Sequence, residues 1–266
     1  MITGKNNDTI KQIRALQQRK ERERTGLFFI EGIRIVVEAI QQHISLEMIV
    51  VAPDLLNSQL AQDVVQKQKV QGVQCLEVTA EIFKRISTKE NPQGLGAVVR
   101  QRWEQLAESK PDERLCWTAL YKIQDPGNLG TIIRTSDAVG GAGIILLDNT
   151  VDPYDITSIR ASMGAIFSQK LMRTNFADFL AWKQKYQCLL VGTADSSAQE
   201  YRSVDYRQPL ILLMGSEPAG LPEAYQQACD VMVKLPMVGR SDSLNLAVAT
   251  GVVLYEIFYQ KQDQPS

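Results

Sequence analysis

A chain of 266 residues with 44% hydrophobic and 22% charged residues has the composition of a globular protein of two domains, which excludes a disordered chain. No apolar run approaches the roughly 20 residues of a membrane span. The opening Met1–Asp8 also lacks the apolar stretch of a secretory leader, so a cytoplasmic protein is expected. With 29 Lys and Arg against 30 Asp and Glu, overall charge selects no class of partner, and only its distribution can.

Ile10–Thr25 reads as a helix carrying Lys11, Arg14, Arg19, Lys20, Arg22 and Arg24 against Glu21 and Glu23. Two readings stand for it: a solvated face with Glu and Arg paired at helical spacing, or an arm that contacts phosphates. Alternating elements follow: strand Leu27–Ile30, helix Ile33–Gln41, strand Leu46–Val51, helix Gln59–Lys69, strand Val73–Val78, helix Ala80–Ile86 and strand Leu95–Val99. Arg100–Arg114 is polar, contains Pro111 and reads as a linker. Beyond it the predicted elements are strand Leu115–Ile123, a helix around Leu129–Val139, strand Ile144–Leu147, a helix around Ile156–Phe167 and helix Phe176–Tyr186. Strands Cys188–Val191, Leu210–Met214 and Val231–Leu235 come next, with a helix starting near Leu221 before the last of them, and the long helix Leu244–Tyr259 closes the chain. This alternation predicts an α/β fold with a parallel sheet covered on both faces. The domains expected are 1–100, a linker at 101–114, and 115–266.

Cys75, Cys116, Cys188 and Cys229 stand singly, without the C-x-x-C spacing of a zinc or redox centre, and read as small buried hydrophobes; no metal is expected. His43 is the one histidine, which leaves no material for a Ser-His-Asp machine. A parallel sheet invites a nucleotide reading, but neither G-x-x-x-x-G-K-[ST] nor a G-x-G-x-x-G between strand and helix is present. Gly94-Leu95-Gly96 precedes a strand, and Gly140-Gly141-Ala142-Gly143 reads as a helix cap and turn.

Three polar, glycine-bearing turns follow apolar strands instead. They are Asp125-Pro126-Gly127-Asn128-Leu129-Gly130 with Arg134 beyond it, Gly215-Ser216-Glu217-Pro218-Ala219-Gly220-Leu221, and Leu235-Pro236-Met237 through Ser241-Asp242-Ser243-Leu244-Asn245. In open parallel sheets ligands bind beyond the carboxyl ends of the strands, where such turns converge. Singly, each also reads as structural: Asn128 and the Ser241–Ser243 run as helix caps, Glu217 as compensation of a helix dipole.

Together, Asn128-Leu-Gly-Thr-Ile-Ile-Arg134-Thr-Ser-Asp-Ala138, Gly215-Ser-Glu217-Pro-Ala-Gly220-Leu221 and Leu235-Pro-Met237 through Asn245-Leu-Ala-Val-Ala249 resemble, in order, the three motifs of SpoU-type RNA ribose methyltransferases of the SPOUT superfamily. The resemblance covers roughly Leu115–Tyr259. Pro218 stands where many members carry glycine and Ser216 where many carry asparagine, differences that bear on loop shape. Glu31-Gly32 with Arg34, Ser87-Thr88 and Asn91-Pro92-Gln93-Gly94 resemble the smaller N-terminal RNA-binding domain of many members.

The resemblance implies a C-terminal domain with a deep trefoil knot, an exception to the rule against threaded chains. It further implies a homodimer, S-adenosylmethionine as cofactor, and methyl transfer to a ribose 2′-hydroxyl of a structured RNA, ribosomal in preference to transfer RNA. Cofactor contacts are carried over to Thr193, Gly215, Leu235, Met237 and Leu244. Arg134 is assigned activation of the hydroxyl, with Asn128, Glu217 and Asn245 completing the catalytic set. Ser243, Arg14, Arg22 and Arg34 are the expected RNA contacts. The alternative from another class is a non-catalytic RNA-binding assembly factor, which has no need of Asn128, Arg134, Glu217 and Asn245 together.

Overall fold

The structure is a computed structural model that describes residues 7–111, 116–241 and 243–262. Arg114 and Leu115, at the expected linker end and strand start, and the cap candidate Asp242 lie outside the described residues. The chain divides into two compact units. Met1–Gln101 groups with Tyr154–Ile159, and Arg102–Pro153 groups with Arg160–Ser266. The return of Tyr154–Ile159 to the first unit is a departure from the simple division read along the sequence. Among the described residues, no helix is long and apolar enough to cross a membrane.

The first unit contains α1 (Asp8–Ala15), α2 (Arg19–Thr25), β1 (Leu27–Glu31), α3 (Ile33–Gln41), β2 (Leu46–Val51), α4 (Gln59–Val70), β3 (Cys75–Glu77), α5 (Ala80–Ile86) and β4 (Leu95–Arg100). Its sheet runs β1-β4-β2-β3, with β4 antiparallel to both neighbours and only β2 and β3 parallel, so the expectation of a parallel sheet fails here. The expected helix Ile10–Thr25 is two helices, broken where Gln18 turns extended.

That break changes which residues face inward, and it overturns one expected RNA contact. Arg22 is 3% exposed. Its Nη1 donates to the Leu16 and Gln17 carbonyls at 3.0 Å each, and its Nη2 lies 3.5 Å from Asp155. A guanidinium spent on the carbonyls that a broken helix leaves open cannot also grip a phosphate. Arg14 and Arg34 are exposed. Arg19 pairs with Glu23 and Arg24 with Glu21, at the helical spacings of a solvated face.

The second unit contains β5 (Trp117–Tyr121), α6 (Pro126–Ala138), β6 (Gly143–Leu147), α7 (Ile156–Ser162), whose first turn belongs to the first unit, β7 (Leu171–Thr174), α8 (Phe176–Tyr186), β8 (Leu189–Thr193), β9 (Leu210–Met214), α9 (Glu223–Ala228), β10 (Val231–Val233) and α10 (Leu246–Gln262). Six strands, all parallel, take the order β10-β8-β9-β5-β6-β7. β5, β6 and β9 are buried along their whole length, as continuous apolar strands covered on both faces must be.

The sequence reading missed β7, whose four residues are only half buried. The expected helix Ile156–Phe167 stops at Ser162, because Gly164 adopts φ 101° and starts a separate short turn over Ala165–Phe167. The expected linker is instead a strap on this unit. The Glu104 N–H donates to the Leu171 carbonyl at 2.9 Å, Leu106 enters the core, and Trp182 Nε1 donates to the Ser109 carbonyl at 2.8 Å. α10 packs on α6 and buries Ala247, Thr250, Val253, Leu254 and Ile257. On its other side Val248, Tyr255 and Tyr259 are 52%, 43% and 59% exposed.

Candidate active site

The three glycine-bearing turns meet at the carboxyl end of the sheet, and each is shaped by its own residues. Asp125 caps α6: its Oδ1 accepts from the Asn128 N–H at 2.6 Å, and Pro126 at the first helical position has no N–H to leave unpaired. Asn128 is therefore not the cap, and its side chain is released for other work. After β9, Ser216 and Gly220 exchange two backbone hydrogen bonds of 3.1 and 2.9 Å, which closes a tight turn and projects Glu217 from its tip. Gly215 has to be glycine, since a Cβ there would lie 2.2 Å from the Gly220 carbonyl carbon. Asn245 is the N-cap of α10, its Oδ1 accepting from the N–H groups of Ala247 and Val248 at 3.0 and 3.3 Å.

These three residues form one chain of hydrogen bonds. The Glu217 carboxylate accepts from the Gln124 and Asp125 N–H groups at 3.2 and 3.3 Å, and from Asn128 Nδ2 at 3.1 Å. Asn245 Nδ2 donates to Asn128 Oδ1 at 2.9 Å. The direction of every link is forced. The free N–H groups of α10 require the Asn245 oxygen, so its amide nitrogen must face Asn128; Asn128 then offers oxygen to Asn245 and nitrogen to the acceptor-only carboxylate. Each asparagine uses one of its two Nδ2 hydrogens in this chain, so each keeps one for a ligand.

Beside the chain lies a cleft of about 720 Å³. Leu221, Val233, Leu235, Leu246 and Ala249 supply apolar wall, and Thr193, Asp195, Ser196, Glu217, Ser243 and Asn245 supply polar groups. Gly215, Met237 and Leu244 also line it. Among the described residues no group of His, Cys, Asp and Glu could hold a metal ion. Burial pushes the Cys116 and Cys229 thiols up to about 12, so neither is a nucleophile at neutral pH.

The SpoU rRNA Methylase family model matches residues 117–255, which takes in all three turns and more than half of the chain. The chain belongs to the SpoU rRNA methylase family. An MRM3-like substrate binding domain matches residues 7–97. An rRNA methyltransferase from Sinorhizobium meliloti, crystallised with AdoMet bound, is 37% identical and superposes with a TM-score of 0.89 over 96% of each chain. The SpoU methyltransferase AviRb from Streptomyces viridochromogenes, in complex with AdoMet, is 27% identical with a TM-score of 0.87, over 98% of this chain and 100% of that one. A 23S rRNA (guanosine(2553)-2′-O)-methyltransferase, RlmP, of Bacillus subtilis is 28% identical over 96% of this chain and 98% of its own.

Within this SpoU chain, Asn128, Glu217 and Asn245 are brought together, and the residues carried over as cofactor contacts share the one cleft with Ser243. Arg134 stands apart: it is exposed on α6, outside the cleft lining, and makes no hydrogen bond or ion pair among the described residues. Six residues at about 3.6 per turn carry it to a different side of the helix from Asn128. Two contributors escaped the sequence reading. Asp125 was legible in principle, since Asp before Pro-Gly is a helix-start signal, and Asp195 lies in the polar turn after β8.

Proposed function

We propose that the protein transfers the methyl group of S-adenosylmethionine to a ribose 2′-hydroxyl of ribosomal RNA. The observation that carries this reading is the directed chain Glu217–Asn128–Asn245 at the edge of the cleft. Family membership, AdoMet in the crystallised relatives, and the 23S rRNA named for RlmP and for a uridine 2′-O-methyltransferase of Streptomyces viridochromogenes support it. The cleft fits the cofactor chemically: its volume lies within the roughly 300–1,000 Å³ of small-molecule sites, and its apolar wall with a polar rim suits an adenosine joined to a charged amino acid. When bound, S-adenosylmethionine supplies an electrophilic methyl group on a sulfonium.

The protein's own residues orient and stabilise. The spare Nδ2 hydrogens of Asn128 and Asn245 hold the ribose oxygen and stabilise charge developing on it. Glu217 acts through Asn128, fixing the direction of its amide and pinning the turn at Gln124 and Asp125. A guanidinium, with a pKa above about 12, is a poor proton acceptor, so Arg134 serves as a cation for the adjacent phosphate and the forming alkoxide, and the proton leaves to phosphate or water.

The working form is a homodimer joined through the face of α6 and α10. Val248, Tyr255 and Tyr259 leave that face apolar, and Thr131, one turn before Arg134, lies in the same groove. A second copy seated there puts Arg134 at the subunit boundary. A trefoil knot in the segment that carries the second and third turns belongs to the same proposal.

The test is incubation with methyl-labelled cofactor and total RNA from a strain lacking the protein, beside Arg134→Ala. Label recovered as 2′-O-methyl nucleoside in ribosomal RNA, and lost in the variant, is the expected result. Label confined to transfer RNA replaces the substrate; no label together with no cofactor binding refutes the enzyme and leaves an RNA-binding factor.

A further inference from the structure

Five non-glycine residues among those described have left-handed backbone: His43, Lys122, Asp148, Met163 and Gln187. His43, Met163 and Gln187 follow the ends of α3, α7 and α8, where this conformation is an ordinary way to finish a helix. Lys122 and Asp148 follow strands. β5 and β6 pair in parallel with Tyr121 opposite Leu147, so these two residues are the next pair in register, at the carboxyl ends of neighbouring strands. Glycine, asparagine and aspartate are the usual occupants of such a turn, so Asp148 sits there at little cost. A lysine is not, and a side chain of that kind held in left-handed backbone, as Lys122 is, is a mark of functional sites.

The two opposite charges do not pair with each other. Lys122 Nζ lies 5.2 Å from the centre of the Tyr121 ring, and Asp148 Oδ2 accepts from the Tyr225 hydroxyl at 2.6 Å. Tyr121 and Tyr225 are themselves in contact, ring centres 4.4 Å apart, and Phe176 stacks on Tyr225 at 3.7 Å. A buried aromatic cluster thus holds an exposed ammonium and an exposed carboxylate apart, each oriented and each with bonding capacity left over. Burial and the neighbouring carboxylate raise the Tyr225 pKa, so its hydroxyl stays a donor and the carboxylate stays where it is put.

Position along the sheet says what these groups face. The cofactor cleft lies over the ends of β10, β8 and β9, and Asn128 with Glu217 lies over β9 and β5. β6 is the next strand on the side away from the cleft, about 4.8 Å on. The segment after Asp148 runs against the first turn, since the Val151 N–H donates to the Ile123 carbonyl at 2.8 Å. An RNA strand whose ribose is held at Asn128 has the cofactor on one flank and continues over this pair on the other.

Resting on the methyl-transfer reading above, we infer that Lys122 and Asp148 bind the nucleotide next to the methylated one, Lys122 at its phosphate and Asp148 at the Watson–Crick edge of a guanine. An ionised carboxylate only accepts, and guanine offers it two neighbouring donors, N1–H and the N2 amino group. Lys122 carries the charge that a phosphate contact requires.

The test compares wild type with Lys122→Asn, Asp148→Asn and Tyr225→Phe on a short RNA containing the methylated nucleotide and on the same RNA with a flanking guanosine replaced by inosine. Asparagine accepts left-handed backbone, so the first two variants keep the fold. Lys122→Asn is expected to raise the KM for RNA about tenfold with kcat and cofactor affinity unchanged, and to lower the salt dependence of binding by about one contact. Wild type is expected to prefer guanosine to inosine at one flank by about tenfold, and Asp148→Asn to lose that preference. Tyr225→Phe, which keeps the ring stack and removes the hydroxyl, should reduce the preference without abolishing it. Variants that match wild type in KM, salt dependence and base preference, while wild type methylates the RNA, overturn this inference alone. Absence of transfer by wild type overturns the methyl-transfer reading and this inference with it.

Discussion

Asn245→Asp separates two tasks that one side chain performs. The side-chain oxygen caps α10 by accepting from Ala247 and Val248, and the amide nitrogen donates to Asn128. Aspartate keeps the oxygen and adds a negative charge where a helix N-terminus favours one by about 0.3–1 kcal/mol. The melting temperature is therefore expected to stay within about 2 °C of wild type. Asn245→Ala, which loses the cap, is expected to cost about 1 kcal/mol and lower it by roughly 2–4 °C. Activity should respond differently. Aspartate presents a carboxylate oxygen to Asn128 Oδ1 across the 2.9 Å now spanned by a hydrogen bond. Asn128 cannot answer by turning its amide over, because its oxygen would then meet the Glu217 carboxylate. Losing that orientation is worth about 1–3 kcal/mol, or about 5–150-fold in kcat. Single-turnover methyl transfer at saturating cofactor, beside a thermal melt, reads both quantities. Full activity in Asn245→Asp with an unchanged melt would refute the directed chain as the part that matters.

Gly215→Ala is expected to raise the dissociation constant for S-adenosylmethionine more than a hundredfold in calorimetry. The new Cβ meets the Gly220 carbonyl carbon at 2.2 Å, so the turn beneath the cleft must open. Arg22→Met should destabilise the protein by about 3 kcal/mol, by stranding Asp155 and two carbonyls, and should leave the salt dependence of RNA binding at its wild-type slope; a thermal melt and a salt titration check the pair. Alkaline stability should fall between about pH 9 and 12. The Cys116 thiol is held up to about 12 in the native state from an ordinary value of 9.0, so the unfolded chain gives up its proton first and the native state loses its advantage as pH rises. Denaturant titrations across that window should show a shallower decline in Cys116→Ala.

The three turns at the cleft were legible because glycines, an asparagine and a carboxylate recur at fixed places after apolar strands. What could not be read was their connection. Glu217 and Asn128 are joined only because β9 and β5 are neighbours in the sheet, and strand order is not written in local pattern. Arg22 shows the limit of charge counting. In a run of six basic residues nothing local tells which one turns inward, and the break at Gln18 resets the helical phase that would have told. β7 escaped because four residues, two buried, one exposed and one between, carry too little alternation. Arg134 was legible as a residue and not as a place, since α6 carries it away from the cleft that holds the others.

The return of Tyr154–Ile159 to the first unit sets an order on how the chain can mature. Tyr154 lies against Phe28, ring centres 4.6 Å apart, and Asp155 is the counter-charge of Arg22. Those partners are absent until about 60 residues after Gln101 have been added. At translation rates of about 5–20 residues per second the first unit waits on the order of 3–12 seconds without the Asp155 carboxylate beside Arg22 and with an aromatic face bare. A ribosome-bound chain stalled before Tyr154 should therefore be protease-sensitive over its first hundred residues. One released past Ile159 should gain protection there, and fragments cut at Gln101 should need the missing hexapeptide added back in trans to do the same.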